Sequence, residues 1–384
     1  MATANLLGPD MALGRTGRGT GLIAGIAAMA LLLCAAPVSS AAVRWVAKGH
    51  GFGHGAGMSQ YGAYGYAIRG VGYETILKHY FQGTTLEAAP AQVVRVLLTI
   101  SGGDVGFRKA SAACGRNLNP DHSYRARLSG GNVRLLSRHG RPLANCGSKL
   151  RAHGGGRVTI SGLGPYRGAL EVVPTSGGGS LNVIDALTVD KYVQGVIAAE
   201  MPPSWPLEAL KVQAVAARSY ALSTGVDGNG FELYDDARSQ VYRGIRGETG
   251  RTNRAASATT GQVLEYGGEI ARTYYSACSG GQTENVEFAF IGSDPIPYLK
   301  GVDDPYDGSC PLHTWKRVFS ARAIASRLGV PGRLKAVDVT QRGVSPRIVW
   351  AKLVGTAGTK KLRGDKIQSA LGLYSTWVRF QKIR

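Results

Sequence analysis

Between Val93 and Val189 the apolar residues come in five short runs, VVRVLLTI from Val93, VRLLS from Val133, RVTIS from Arg157, ALEVVP from Ala169 and LNVIDALTV from Leu181, separated by Gly-rich turns. Runs of this length, rich in β-branched residues and bounded by turn formers, read as strands, so this stretch must build sheet. Gly177 to Gly179 has strand-like sequence directly on both sides and reads as a hairpin turn, not a linker. The period then changes. From Pro206, which suits a first helical turn, LEALKVQAVAARSYALS runs as a helix until Gly225. Leu207, Leu210, Ala214, Ala217 and Ala221 form its apolar stripe, and Lys211, Val215 and Arg218 share another face. Shorter helices are predicted over Tyr73 to Phe81, Ser320 to Leu328 and around Lys366 to Leu371, with a last pair of strands between the latter two. The class is α+β, β-rich with a few helices.

Arg15 and Arg18 precede an apolar and small-residue run from Leu22 to Ala36, then Ser39, Ser40, Ala41 and Ala42. That order reads as a secretory signal peptide over residues 1–42, since the run falls short of the ~20 residues of a membrane span. Cys34 lies inside it in a poor lipoprotein context, and no later segment is apolar enough to span a bilayer. Four cysteines follow, Cys114, Cys146, Cys278 and Cys310, and an even count in an exported chain favours disulfides. Three pairings are open to them, and nearness in sequence favours Cys114 with Cys146 and Cys278 with Cys310. No CxxC pair is present to suggest structural zinc. The formal charge is +20, and removing Arg15, Arg18 and Asp10 with the signal leaves +19. A field of that sign outside the cytoplasm favours anionic wall polymers and lipid headgroups as partners, not nucleic acid.

Three constellations carry candidate chemistry. In VIAAEMPPSWPLEALKVQAVAARSYAL, Glu200 ends an apolar stretch and is followed by Pro202 and Pro203. This predicts a carboxyl held on a rigid turn among apolar neighbours, its pKa raised by desolvation as a general acid requires. The plainer reading is a glutamate that accepts backbone N–H bonds ahead of a helix. In GHGFGHGAGMSQYGAYGYA, the repeated glycines argue against a helix over Gly49 to Gly65 and for a loop that lets backbone approach a ligand. It carries His50, His54, Ser59, Gln60 and Tyr61, with Tyr64 and Tyr66 available to pack the turn; the spacing of the two histidines is unlike a zinc peptidase helix. In RTYYSACSGGQTENVEFAF, Tyr275, Ser276, Ser279 and Gln282 flank Gly280-Gly281, and with GxSxG absent the hydroxyls read as hydrogen-bonding groups, not nucleophiles.

Together these segments resemble the SpoIID/LytB domain family, whose members carry EMP…SW…EALKAQAVAARTYAL, YSxxSGGxTE and GxGHGxGMSQYGAxG elements. The resemblance covers 187–222, 274–307 with its PYLKGVDDPYD continuation, 334–380 with GDKIQSALGLYSTWVRF, and 48–86. In the usual family order the GHGxGMSQYGA element closes the domain, whereas here it opens the chain after residue 42, so the domain looks circularly permuted. Permutation predicts that the strand Thr376 to Lys382 lies beside Val43 to Lys48 and returns the Gly-rich segment to Glu200. The organisation expected is a signal peptide at 1–42, a Gly-rich segment at 43–90, a β-rich insert or accessory module at 91–180 and the remainder of the domain at 181–384.

The resemblance implies a secreted protein of the cell wall or extracellular face that acts as a lytic transglycosylase on peptidoglycan glycan strands. Glu200 is the implied catalytic acid and base, and Tyr61 its implied companion. Lys211, Arg218, His54, Ser59, Gln60, Tyr275, Ser276 and Ser279 are the implied substrate-binding positions. Cations beside Glu200 would lower its pKa, and Glu208, three residues before Lys211, offers partial neutralisation. No cofactor is implied; some relatives carry zinc near the SGG element, where a Cys278–Cys310 disulfide is the better account here. The rival reading is a non-catalytic wall-binding protein that enhances a partner amidase, as LytB members do, and a structural protein of the spore or wall stands third.

Overall fold

The computed structural model describes residues 43–226 and 228–383. The signal peptide reading of 1–42 lies outside the described residues. The strand Arg44–His50 runs antiparallel between Thr314–Ser320 and Val378–Ile383, with Trp45 opposite both Phe319 and Lys382. The late strand therefore does lie beside the first described residues. Trp45, Ala47, Trp315, Phe319 and Val378 turn inward, and they share a core with the helices Ala321–Leu328 and Gly364–Leu371. Three antiparallel strands, Leu334–Arg342, Ile348–Gly355 and Thr359–Arg363, complete this region where a pair was expected.

The β-type runs all become strands, distributed over two sheets. A seven-stranded sheet orders Leu233–Tyr234, Val93–Ser101, Leu181–Thr188, Ala169–Pro174, Leu150–His153, Ala112–Ala113 and Arg116–Asn117. A six-stranded sheet orders Pro142–Asn145, Asn132–Ser137, Ser123–Ser129, Val105–Arg108, Val158–Ile160 and Gly164–Tyr166. Inward residues of both, among them Phe107, Leu135, Val172 and Val183, belong to one cluster that continues into the helices. Gly177 to Gly179 is the turn between two paired strands, with Gly178 at φ +69°.

Four helices frame the site: α1 (Gln60–Ala67), α2 (Tyr73–Tyr80), α3 (Val189–Glu200) and α4 (Leu207–Ser223). Two of them were not read as helices in the sequence. Helix α1 occupies a stretch whose glycines argued for a loop throughout. Those glycines are contact positions: a Cβ on Gly62 would stand 2.0 Å from the Tyr80 hydroxyl, and one on Gly65 2.0 Å from the Tyr306 carbonyl oxygen. The left-handed glycines Gly51, Gly53, Gly55 and Gly57 keep the first half of the segment as loop. Helix α3 follows directly on the strand Leu181–Thr188, and its period was masked by the continuous apolar character of the preceding run. Helix α4 is buried nearly all round, including Val215 and Arg218, so it is the central helix and not a one-sided surface helix.

Candidate active site

Glu200 is the last residue of α3, not part of a turn ahead of α4. The helix stops there because Met201 is extended (φ −127°, ψ 143°) and Pro202 disfavours a helical residue before it. The residue as a whole is partly exposed, while its carboxyl is enclosed by protein. Burial pushes its pKa from 4.5 up to about 7, and a hydrogen bond from the Val241 backbone N–H, with help from the Tyr275 hydroxyl and the Gln60 amide, pulls part of the way back. Val241 N donates to Glu200 Oε1 at 2.9 Å. Lys211 and Arg218 are not among the groups that most affect this carboxyl, which removes the tension between a cationic helix face and an acid role.

A buried polar chain stands behind the carboxyl. The Tyr192 hydroxyl donates to Gln240 Oε1 at 3.2 Å, and Gln240 Nε2 donates to the Tyr275 hydroxyl at 2.8 Å. Burial raises both phenols well above 10, with the Glu200 charge adding to it, so they stay protonated as neutral donors. On the α1 side, Gln60 Nε2 donates to the Glu200 backbone oxygen at 3.1 Å and to Gln213 Oε1 at 3.2 Å. Through Gln60 the Gly-rich segment thus reaches Glu200 directly. Tyr61 itself turns to Trp205: the Tyr61 and Tyr64 rings both lie 4.8 Å from the Trp205 indole, and all three side chains are partly exposed. This is a partly exposed aromatic wall on the segment that follows Gln60, the kind of apolar surface with polar edges that ligand sites use.

Several residues expected at the substrate instead belong to the frame. Ser59 is buried and caps α1 by accepting from Gly62 N at 3.0 Å. Ser276 is buried in the short strand Tyr275–Ser276, paired with Met58–Ser59. Ser279 Oγ is shared between Asp304 Oδ2 at 2.7 Å and Asp307 Oδ2 at 2.9 Å, which ties the SGG loop to the following segment. Arg218 is fully buried, ion-paired with Asp190 at 2.8 Å and donating to the Gln262 carbonyl at 2.9 Å. His54 Nδ1 accepts from Ala56 N while Nε2 faces the Tyr275 carbonyl, both at 3.0 Å. Burial lowers its pKa to about 3, so it is a neutral structural imidazole with both nitrogens engaged. For Ser59, Ser279, Arg218 and His54 a polar side chain in a Gly-rich or helical motif satisfies an inward backbone or charged group. Lys211 remains partly exposed, paired with Glu208 at 2.7 Å and 5.2 Å from the Tyr73 ring centroid. His50 stacks at 5.0 Å on Trp377.

Gln240, Val241, Tyr192 and Trp205 were not singled out from sequence. The available signal was slight: an aperiodic run after α4 that places Ser239-Gln240-Val241 between Tyr234 and Tyr242. Both disulfides pair as sequence proximity favoured, Cys114 with Cys146 and Cys278 with Cys310, each 32 residues apart. Among the described residues no group of three or more His, Cys, Asp or Glu side chains is placed to hold a metal, and no helix is long and apolar enough to cross a membrane.

Residues 177–266 match the family model for SpoIID, stage II sporulation protein. An uncharacterised protein of Brachyspira hyodysenteriae is 36% identical over 147 residues, covering 38% of this chain and 39% of that protein. Stage II sporulation protein D of Bacillus amyloliquefaciens is 31% identical over 211 residues, covering 50% of this chain and 60% of its own length. The amidase enhancer of Bacillus subtilis is 33% identical over 174 residues, covering 45% of this chain and 21% of its own length. The chain thus spans less than two thirds of each relative. The matched stretch holds Glu200, α4 and the Gln240–Val241 segment, while Gln60 and Tyr275 reach the same carboxyl from outside it. The SpoIID match over this stretch, which includes Glu200, and the relatives named for stage II sporulation and amidase enhancement make this chain similar to the SpoIID/LytB family.

Proposed function

We propose that this protein cleaves the bond between N-acetylmuramic acid and N-acetylglucosamine in peptidoglycan glycan strands as a lytic transglycosylase. The observation that carries the reading is one carboxyl, Glu200, whose pKa near 7 leaves it substantially protonated at neutral pH, held by Gln60 from the segment that also carries the Tyr61 ring. Protonated Glu200 donates to the glycosidic oxygen as the C1–O4 bond breaks. The resulting carboxylate then takes the proton of the muramoyl 6-hydroxyl as O6 bonds to C1, giving a 1,6-anhydro end and restoring the acid. The proton balance closes with no water consumed. The substrate supplies the nucleophile, so one carboxyl suffices where hydrolases use two. The neighbours bonding the Glu200 carboxyl are donors, which suits that economy. Tyr61, Tyr64 and Trp205 offer stacking faces for sugar rings, and the partly exposed Lys211 on α4 offers a cation for the substrate's anionic groups.

Mass spectrometry of peptide-stripped glycan incubated with the protein tests this: new anhydro-muramoyl ends are expected, and none with Glu200→Gln. Anhydro ends released equally by the variant would remove Glu200 from the role. The similarity to an amidase enhancer favours one other reading, a non-catalytic wall protein that stimulates an amidase. Binding to glycan without new ends, together with faster amidase turnover, would select it. Both readings place the protein at the cell wall as a secreted component.

A further inference from the structure

Half of the chain's formal charge of +20 sits between Val93 and Ser180, where eleven arginines and two lysines meet three acidic residues. The six-stranded sheet concentrates part of it on one face. Alternation along Ser123–Ser129 buries Tyr124 and Ala126 and turns Arg125 and Arg127 outward. On the flanking strands Arg134 stands directly opposite Arg127, and Arg108 lies on the same face as Gly106, the partner of Arg125. All four are exposed. Among the described residues the carboxylate that reaches them is Asp104, which holds Arg127 through two bonds of 2.8 Å and lies 3.7 Å from Arg125; Arg108 and Arg134 have no ion-pair partner there. Like charges directly opposite on adjacent strands oppose pairing, so folding alone gives no reason for Arg127 to face Arg134. Beside the stripe opens a hollow of about 240 Å³ bordered by Ser101, Asp104, Arg127 and Ser180.

From this geometry we infer that the outer face of the six-stranded sheet binds a linear polyanion of successive phosphate groups, separately from the chemistry at Glu200. Same-face residues on one strand stand about 6.7 Å apart and neighbouring strands about 4.8 Å, a lattice of guanidinium forks suited to successive phosphates on an extended chain. The use of arginine decides for phosphate over a diffuse cationic field. The segment holds eleven arginines to two lysines, against twenty to twelve in the rest of the chain, and the planar fork is what matches phosphate bidentately. The sheet is also tied to the Glu200 segment. Tyr166 stacks on Tyr242 at 6.0 Å, next to the Val241 that bonds the carboxyl, and Arg167 grips Glu248 through two bonds of 2.6 Å. A polymer seated on the sheet would hold the Glu200 segment at a set place along the wall.

Fluorescence anisotropy of labelled long-chain inorganic polyphosphate, titrated with the purified protein over a range of NaCl concentrations, tests the inference. Arg108→Gln/Arg125→Gln/Arg134→Gln should weaken binding about tenfold or more and make the log–log salt dependence shallower by about two, the change expected when three guanidinium groups no longer neutralise phosphates of a single-stranded polyanion. Arg322→Gln/Lys335→Gln/Lys352→Gln, which removes the same charge from exposed sites elsewhere, should change affinity less than about twofold. The charge-preserving Arg108→Lys/Arg125→Lys/Arg134→Lys protein should bind with intermediate strength, which separates loss of the fork from loss of fold. Equal weakening by both neutralising triples would overturn the inference in favour of a diffuse field. Equal, variant-sensitive binding of poly-L-glutamate would overturn the choice of phosphate, and the same result with phosphatidylglycerol vesicles would replace the polymer by a lipid surface. None of these outcomes touches Glu200, so the transglycosylase reading stands or falls apart from them.

Discussion

Replacing Glu200 by glutamine makes a prediction that reports on the carboxyl itself. Its pKa is pushed by burial from 4.5 to about 7, so at high pH the folded chain holds an ionised group that it would rather keep protonated. Below pH 4.5 the group is protonated in both folded and unfolded chains and costs nothing. As pH rises from there the unfolded chain loses its proton first, stability falls, and above 7 the loss is complete. Its size is about 3 kcal/mol for full burial, and about 2–3 kcal/mol once the partial exposure of Glu200 is allowed for. Glutamine keeps the shape and can still accept from Val241 N, but it does not ionise. Urea unfolding should therefore find the Glu200→Gln protein close to wild type at pH 4.5 and more stable by about 2–3 kcal/mol at pH 8.5. Asp185, raised to about 7, and Asp235 and Asp304, each raised to about 6, titrate in both proteins and cancel in the difference. Anhydro-end formation by wild type should decline as pH rises through 7, and the variant should be slower by a factor on the order of 100 to 10,000. A stability difference that stays constant with pH would refute the account of a desolvated carboxyl, whatever the activity showed.

Gly62→Ala places a Cβ 2.0 Å from the Tyr80 hydroxyl and 2.2 Å from Asp304 Oδ1, so denaturant unfolding should register a loss of about 1–3 kcal/mol. Gln240→Ala leaves the buried Tyr192 and Tyr275 hydroxyls without their shared partner; a stability loss of about 1–3 kcal/mol should accompany a displaced pH profile of glycan cleavage. Opening the Cys278–Cys310 bridge by substituting both residues with serine frees a 32-residue loop, and calorimetry should show a lower Tm, equivalent to about 2–4 kcal/mol. Trp205→Ala removes the surface on which Tyr61 and Tyr64 rest, and affinity for peptide-stripped glycan should fall by about tenfold with Glu200's pH dependence unchanged.

The elements that were legible in advance are those whose signal is local. The strand runs, the helix beginning after Pro206, the hairpin at Gly177 to Gly179 and the disulfide pairs follow from alternation, turn chemistry and proximity along the chain. Glu200 was marked locally by the apolar residues before it and the two prolines after it, but it was singled out only through the motif resemblance. Helices α1 and α3 were not legible. The glycines of α1 weaken a helix in isolation and are repaid only by the close approach of Tyr80 and Tyr306, more than ten residues away in one case and more than two hundred in the other.

Local pattern therefore dictated the class of the fold, and with the motif resemblance it singled out Glu200. What surrounds Glu200 came from long-range packing: Val241 bonds its carboxyl, Gln60 bonds its backbone oxygen and Gln240 bonds the Tyr275 hydroxyl behind it, residues spread from position 60 to 275 in contacts that no window of sequence contains. The same packing drew Ser59, Ser279, Arg218 and His54 inward from motifs that looked like binding surface, because buried donors, carboxylates and carbonyls had to be satisfied from whatever polar side chains lay near. A residue's type can advertise what chemistry it is capable of, but desolvation and hydrogen-bond partners set its pKa and its access to a ligand, and both are properties of the folded neighbourhood.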